Sequence, residues 1–272
     1  MKNDEFGNRM KLYEMAEAGR KLTPLLPICV RLDGKCFSSF TKGLKRPYDE
    51  RLSKLMVEVT KALVEETNAL IGYTQSDEIS LIIYSDSFKN QVYYDGRIQK
   101  IIGDLAAFAT GLFNRLLPKY IPEKVSDDPY KFPRFDCRVW NVPTKIEAAN
   151  TILWREQDAF RNSVSGAACC YYSDKELENK NSDEKQEMLF SKGINYNNYP
   201  SHFKRGTFIQ RRKLVRKFTI TELEELPPKH MARTNPNLEC ERSEISVVDM
   251  PIFSSVINRV EVIFNGETPK TL

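Results

Sequence analysis

The sequence predicts an α+β sandwich with strands and helices in the order β-α-β-β-α-β. Short apolar runs rich in β-branched residues occur at 28–32, on both sides of a polar tip in 71–85, and at 135–142, as in strands. Longer segments at about 50–69 and 97–117 repeat apolar residues at helical spacing. This order is that of a ferredoxin-like antiparallel sheet with helices on one face.

The first half of the chain supplies three of these elements after a leading helix. Residues 4–21 predict an amphipathic helix with Phe6 and Met10 on one face. The loop at 37–47 follows the first strand and ends in a basic Lys-Arg-Pro step. Asp49 is placed to cap the helix that runs to about residue 69.

The second half is punctuated by prolines. Those that begin at Pro118 predict a loop before the strand at 135–142. A helix is predicted to open at Thr144 or Pro143, to reach about residue 160 and to continue over 162–170. Beyond residue 222 the chain is proline-rich, and the pattern indicates only a weak strand at 245–248.

Composition limits the class of protein. The 272 residues are 41% hydrophobic and 29% charged, with a net charge of +4, as in an ordinary globular chain. The six cysteines have no CxxC spacing and predict reduced thiols, and two histidines make a histidine metal cluster improbable. The sequence also predicts no membrane span and no signal peptide.

Acidic residues stand at the ends of two predicted strands. The first strand ends in Asp33-Gly34, and the hairpin tip carries Ser76, Asp77 and Glu78. Paired carboxylates of this kind suit a Mg²⁺ site that is completed by water and nucleotide phosphates. The alternative is two solvated turns, since Asp-Gly and Ser-Asp-Glu are common turn sequences.

Five sequence blocks in order resemble the tRNA-histidine guanylyltransferase family, and more closely its Thg-like branch of 3′-to-5′ RNA polymerases. They span about residues 31–206 and read VRLDGKCFSSF, GYTQSDEISLI, FDCRVWNVP, WREQDAFRNS and LFSKGINYNN.

The resemblance implies a polymerase-like palm and an RNA substrate. It implies a nucleotidyltransferase that uses two Mg²⁺ ions, ATP and GTP or other nucleoside triphosphates, and tRNA, and that is a cytoplasmic homotetramer. We divide the chain into a catalytic palm with the N-terminal helix, 1–200, and a basic C-terminal extension packed on the palm, 201–272.

The resemblance also implies site residues. Asp33, Asp77 and the Gly34 carbonyl correspond to metal ligands, and Glu78 to a further ligand or a base beside them. Residues that correspond to phosphate contacts, or are candidates for them, are Lys35, Lys45, Arg46, Ser76 and Lys185. Candidates for contact with the RNA end are Arg138 and Asn162. Arg31 is equally consistent with an internal ion pair.

Two charged segments leave alternatives open. Residues 174–187 read as a solvated helix or loop, although Lys185 lies within them. The segment 202–218 interleaves aromatic and basic residues. It is either an edge strand with a solvated face or a surface that contacts RNA phosphates. Its candidate RNA contacts are Lys204, Arg205, Arg211 and Arg212.

One departure from the family pattern bears on the substrate. Enzymes specific for tRNA-histidine carry a His-x-Asn-Asn element where this sequence has Phe160, Arg161, Asn162 and Ser163. The sequence therefore favours template-directed repair of 5′-truncated tRNA. The rivals are untemplated guanosine addition to tRNA-histidine, a cyclase-like palm enzyme, and an RNA-binding protein without catalysis.

Overall fold

A computed structural model describes residues 4–90, 92–235 and 237–272. Its sheet has the strand order β4-β1-β3-β2-β5-β6, and every neighbouring pair is antiparallel. The strands are β1 (Ile28–Lys35), β2 (Ile71–Gln75), β3 (Glu78–Ile83), β4 (Arg134–Asn141), β5 (Thr207–Lys217) and β6 (Glu239–Val248). The predicted α+β fold is confirmed, since the first four strands have the ferredoxin-like order.

The helices follow the predicted pattern in the first half of the chain. They are α1 (Glu5–Ala18), α2 (Phe37–Phe40), α3 (Glu50–Thr67), α4 (Ile98–Tyr120), α5 (Lys145–Ala168), α6 (Asp174–Leu177), α7 (Ser182–Ser191), α8 (Ser201–Arg205), α9 (Ile220–Glu225), α10 (Met231–Thr234) and α11 (Arg259–Asn265). Asp4, Asp49 and Thr144 cap α1, α3 and α5 with their side chains. These bonds satisfy backbone donors that a helix start leaves free.

The sheet separates two hydrophobic cores. Val30, Leu32 and Leu81 belong to the core that includes residues of α3 and α4. Cys29 and Ile82, one position along the same strands, belong to the core that includes residues of α5 and α11. Helices therefore cover parts of both faces, where one face was predicted. The reason is that α5 crosses back over the sheet and its alanine-rich side allows close packing.

Two other features differ from the sequence-based expectation. Pro118 lies inside α4, which continues to Tyr120, because a proline in the last turn removes only one backbone hydrogen bond. The segment 202–218 does not form an edge strand: β5 pairs with β2 on one side and with β6 on the other. The division of the chain at residue 200 stays a prediction, and the sheet itself runs across it.

Exposed apolar side chains mark the N-terminal helix. The predicted face of α1 is not covered, since Phe6 is 65% exposed and Met10 38% exposed. Among the described residues, no helix is both long enough and apolar enough to cross a membrane. All six cysteines are free thiols.

Candidate active site

Two acidic residues meet where β1 ends and the β2–β3 turn begins. Gly34 N donates a hydrogen bond to the Asp77 carbonyl oxygen at 3.1 Å, so the turn is fixed to the end of β1. Asp33 lies opposite Glu78 in the antiparallel register, which places their side chains on one face of the sheet. Ser76 adopts the left-handed conformation with a φ of 53°, and this allows the strands to reverse within two residues.

Glycine is required at position 34 by packing. A Cβ atom built there would lie 2.3 Å from the Phe37 ring, well inside van der Waals contact. Phe37 is itself buried against Phe113 and Phe135 and has no room to withdraw. The aromatic cluster packed against β1 therefore requires glycine at position 34, and the backbone N of Gly34 bonds the Asp77 carbonyl.

The electrostatics of the pair suit a cation. Burial is the main cause that raises the pKa of Asp77 to about 6, and the nearby charges of Asp33 and Glu78 contribute to this rise. Within the described part of the chain, no lysine or arginine forms an ion pair with Asp77, and Asp33 has only Arg31 at 3.6 Å and Arg138 at 4.0 Å. A half-buried carboxylate without a cationic partner is stabilised by a bound metal ion.

The donor set fits Mg²⁺ with an incomplete protein shell. No group of three or more His, Cys, Asp or Glu side chains is arranged to hold a metal within the described ranges. Two carboxylates and a backbone carbonyl are nevertheless sufficient for Mg²⁺, which keeps water and takes further oxygens from substrate phosphates. Such an ion would be held by Asp33, Asp77 and the Gly34 carbonyl.

Glu78 is enclosed by two arginines. Its Oε1 accepts from Arg31 Nη2 at 2.7 Å, and its Oε2 accepts from Arg155 Nη2 at 2.5 Å. Arg155 is only 5% exposed, and its other terminal nitrogen bonds Asp158 at 2.8 Å. Both guanidinium groups lie near the ring of Trp154. Arg31 thus forms the internal ion pair that the sequence left open.

A cavity of about 320 Å³ adjoins Asp77 and gathers predicted phosphate contacts. Five of the predicted site residues besides Asp77 contribute to its wall: Lys45, Arg46, Ser76, Glu78 and Asn162. The aromatic side of the same wall contains Tyr48, His202 and Phe203, and the Tyr48 and Phe203 rings stack at 5.0 Å and 27°. A nucleoside triphosphate suits such a cavity, because its phosphates are attracted to the cationic side and its base can pack on the aromatic side.

The basic loop of this cavity is held by Asp49. Its carboxylate accepts from Lys45 N at 3.3 Å and from Arg51 N at 3.0 Å, and it forms a two-point contact with the Arg51 guanidinium. These hydrogen bonds lower the pKa of Asp49 to about 2. Because Asp49 both caps α3 and fixes the loop, the helix start sets the position of Lys45 and Arg46.

The remaining predicted residues lie at different distances from this cavity. Lys185 on α7 donates to Ser165 on α5 at 3.0 Å and lines an adjacent pocket. Arg138 on β4 faces Asp33 and Asp136 across 4.0 and 3.7 Å. Lys35 is exposed at the end of β1, outside the cavity wall.

The four candidate RNA contacts of the segment 202–218 divide into two groups. Lys204 and Arg205 line a second cavity beside α5. Arg211 pairs with Glu65 of α3 at 2.9 Å, and Arg212 bonds the Gln210 side chain at 3.2 Å. Neither Arg211 nor Arg212 contributes to the wall of either cavity.

Several residues of the site were not predicted from the sequence. Tyr48 and His202 line the cavity beside Asp77, and Arg155 forms an ion pair with Glu78. The signal for Tyr48 was its position beside the Lys-Arg-Pro step. Arg155 was visible only as part of the WREQD block, because its partner is 77 residues away in the chain.

A palm sheet with paired carboxylates and a basic, aromatic-walled cavity defines the class as nucleotidyltransferase. The tRNAHis guanylyltransferase family model matches residues 7–143, and the Thg1 C terminal domain model matches residues 147–253. The chain belongs to the tRNAHis guanylyltransferase family.

Individual relatives agree with this assignment. The chain is 31% identical to the tRNA(His) guanylyltransferase of Saccharomyces cerevisiae over 83% of this chain and 98% of the relative. A bacterial tRNA(His) guanylyltransferase (Thg1)-like protein solved with ATP matches 96% of this chain and 99% of its own, with a TM-score of 0.76 and 31% identity. A structure of such a bacterial protein with GTP matches 92% of this chain and 94% of its own, with a TM-score of 0.71 and 31% identity.

Proposed function

We propose that this protein adds nucleotides in the 3′-to-5′ direction to the 5′ end of truncated tRNA, directed by the opposite strand. In the first step a 5′-monophosphate attacks the α-phosphate of ATP, pyrophosphate leaves and a 5′-adenylylated end forms; GTP or an existing 5′-triphosphate can replace this activation. In the second step the 3′-hydroxyl of a nucleoside triphosphate attacks the activated 5′ phosphate, and AMP, GMP or pyrophosphate leaves according to the activation.

The chain's residues divide the work of binding and positioning. Lys45 and Arg46 neutralise the triphosphate, and Ser76 hydrogen-bonds a phosphate oxygen. Asp33, Asp77 and the Gly34 carbonyl would hold two Mg²⁺ ions, which would lower the pKa of the attacking hydroxyl and stabilise the charge of the leaving group. Glu78 orients the Asp77 turn through its bonds to Arg31 and Arg155.

The sequence at positions 160–163 is the main observation that supports template-directed addition. Phe160 stands where enzymes specific for tRNA-histidine carry histidine, and its ring packs edge-on against Tyr196 at 5.8 Å. The basic residues near the site can contact phosphates, which carry little sequence information. Choice of the incoming nucleotide is then supplied by base pairing within the RNA.

The experiment uses tRNAs that lack their first nucleotide. We expect each to be extended with the nucleotide that complements the opposite base, whatever the anticodon. The panel changes only that opposing base, offers each of the four nucleotides, and is repeated with histidine and non-histidine anticodons. Guanosine addition regardless of the opposing base, and only with the histidine anticodon, would instead establish the sister activity, which is untemplated guanosine addition to tRNA-histidine.

That sister activity is the second candidate, because the curated relative from Saccharomyces cerevisiae bears its name. A homotetramer and a cytoplasmic location are further proposals drawn from the family resemblance. Sedimentation of the purified chain tests the first of these.

A further inference from the structure

A second cavity lies on the other side of α5 from the cavity beside Asp77. It has a volume of about 500 Å³, and its wall includes Phe160, Arg161, Tyr196, Lys204 and Arg205. Ser163 joins the two cavities: it lines the first, and its hydroxyl contacts the Tyr196 hydroxyl at 2.6 Å and the Lys204 carbonyl at 3.2 Å. The two cavities are therefore adjacent, with Ser163 of α5 between them.

Two cationic groups of this cavity, those of Lys204 and Arg205, are available to an anion. Among the described residues, neither Lys204 nor Arg205 forms an ion pair with a carboxylate: Lys204 bonds the Asn197 carbonyl at 2.7 Å, and Arg205 bonds the Ser201 hydroxyl at 3.3 Å. Lys204 is half-buried, and this burial lowers the pKa of its ammonium. Partly buried cations that no carboxylate bonds directly attract phosphate groups, and the Glu156 carboxylate of the same wall acts on Arg205 only through space.

The same cavity has an aromatic side and a buried carboxylate, that of Glu156. Phe160 is half-buried, and unpaired bases stack on such rings. Glu156 is 3% exposed, and both of its carboxylate oxygens accept from Phe253 N at 3.0 Å. A carboxylate has about four acceptor positions, so Glu156 retains capacity for an exocyclic amino group of cytosine or adenine.

We propose that this cavity binds an unpaired nucleotide from the 3′ end of the tRNA acceptor stem, with a base that carries an exocyclic amino group. The inference rests on the proposed function, in which the activated 5′ end of the same stem reacts with a nucleoside triphosphate held in the first cavity. The 3′ strand leaves the duplex at that end, so its single-stranded nucleotides start within reach of a site one helix away. Stacking on Phe160, phosphate contact by Lys204 and amine contact by Glu156 together define the ligand.

The test measures equilibrium binding of fluorescently labelled tRNA without nucleoside triphosphates. For the wild-type chain, removal of the unpaired 3′ nucleotides is expected to weaken binding about tenfold, the effect of one stacked base. Phe160→Leu keeps an apolar side chain, and Lys204→Gln keeps a donor toward Asn197. In both variants intact tRNA should bind only as well as trimmed tRNA, so trimming no longer changes the affinity.

Controls separate this inference from folding and from the proposed function. Lys131→Gln removes a lysine with an 80% exposed side chain outside the cavity and should retain the tenfold effect of trimming. Arg161→Gln changes an exposed member of the wall and should reduce the effect, even if Phe160→Leu unfolds the chain. An equal trimming effect in the wild type and in all wall variants would overturn the inference.

The contact between Glu156 and the base is tested in a separate measurement. A tRNA whose unpaired 3′ nucleotides are all uridine lacks exocyclic amines, and we expect it to bind about as weakly as trimmed tRNA. Equal binding of the uridine tail and the natural tail would refute the Glu156 contact. Because no nucleotide is added in these measurements, they can succeed when template-directed addition fails, and the reverse also holds.

Discussion

Arg155 on α5 and Glu78 at the start of β3 form an ion pair of 2.5 Å, although they lie 77 positions apart in the chain. The pair connects the helix that separates the two cavities to the turn that carries Asp77. Glu78 has guanidinium groups at both oxygens and so acts here by holding the turn in place. This relationship leads directly to the first prediction.

Arg155→Met is expected to lower the free energy of unfolding by about 3 kcal/mol, because it leaves a half-buried carboxylate with only one of its two partners. Arg161→Met is the matched control, since Arg161 also pairs with Asp158 but its side chain is 52% exposed; it should cost less than about 1 kcal/mol. Denaturant titration measures both variants. Equal losses would show that burial of the Arg155–Glu78 pair is irrelevant to stability.

Asp33→Asn and Asp77→Asn are expected to reduce nucleotide addition by about a thousandfold while the chain stays folded, because each removes a charged ligand for Mg²⁺. Asp136→Asn is the control: it removes a carboxylate opposite Asp33 in the register, outside the proposed metal set. Addition is followed with labelled tRNA across a Mg²⁺ titration. Robust Mg²⁺-dependent addition by Asp33→Asn or Asp77→Asn would contradict the assignment of these residues as Mg²⁺ ligands.

Lys45→Ala and Arg46→Ala are expected to raise the KM for nucleoside triphosphate about tenfold, since each removes one charge-assisted contact to phosphate. Lys185→Ala tests whether the adjacent pocket serves the activation step. Single-turnover rates on 5′-monophosphate and 5′-triphosphate RNA distinguish the two steps, because only the first substrate requires activation. Unchanged kinetics on both RNAs for all three variants would remove these residues from the site.

Asp49→Asn tests the pH dependence that follows from the lowered pKa of Asp49. A carboxylate whose folded pKa is depressed stabilises the fold above its unfolded pKa, near 3.8, and loses that contribution as pH falls through about 2. Asparagine keeps the helix cap but removes the charge. At pH 6 the variant should be about 2 kcal/mol less stable than the wild type, and the difference should vanish near pH 2. A difference independent of pH would contradict the assignment.

The sequence by itself determined the framework of the site. The hairpin with its Ser76-Asp77 tip and the strand that ends in Asp33-Gly34 are local features, because turn residues and alternation act over a few positions. The strand order of the first four strands follows from the β-α-β-β-α-β succession. The five sequence blocks added the family, which the comparisons confirm.

The tertiary structure decided which distant side chains complete the site. Burial of the apolar faces of α5 against the sheet brings Arg155 to Glu78 and Glu156 to the Phe253 backbone. The sequence of the basic segment predicted one continuous surface. Because β5 pairs on both edges, Arg211 instead contacts Glu65, whereas Lys204 and Arg205 line the second cavity. Such outcomes depend on contacts between residues far apart in the chain, which no local pattern specifies.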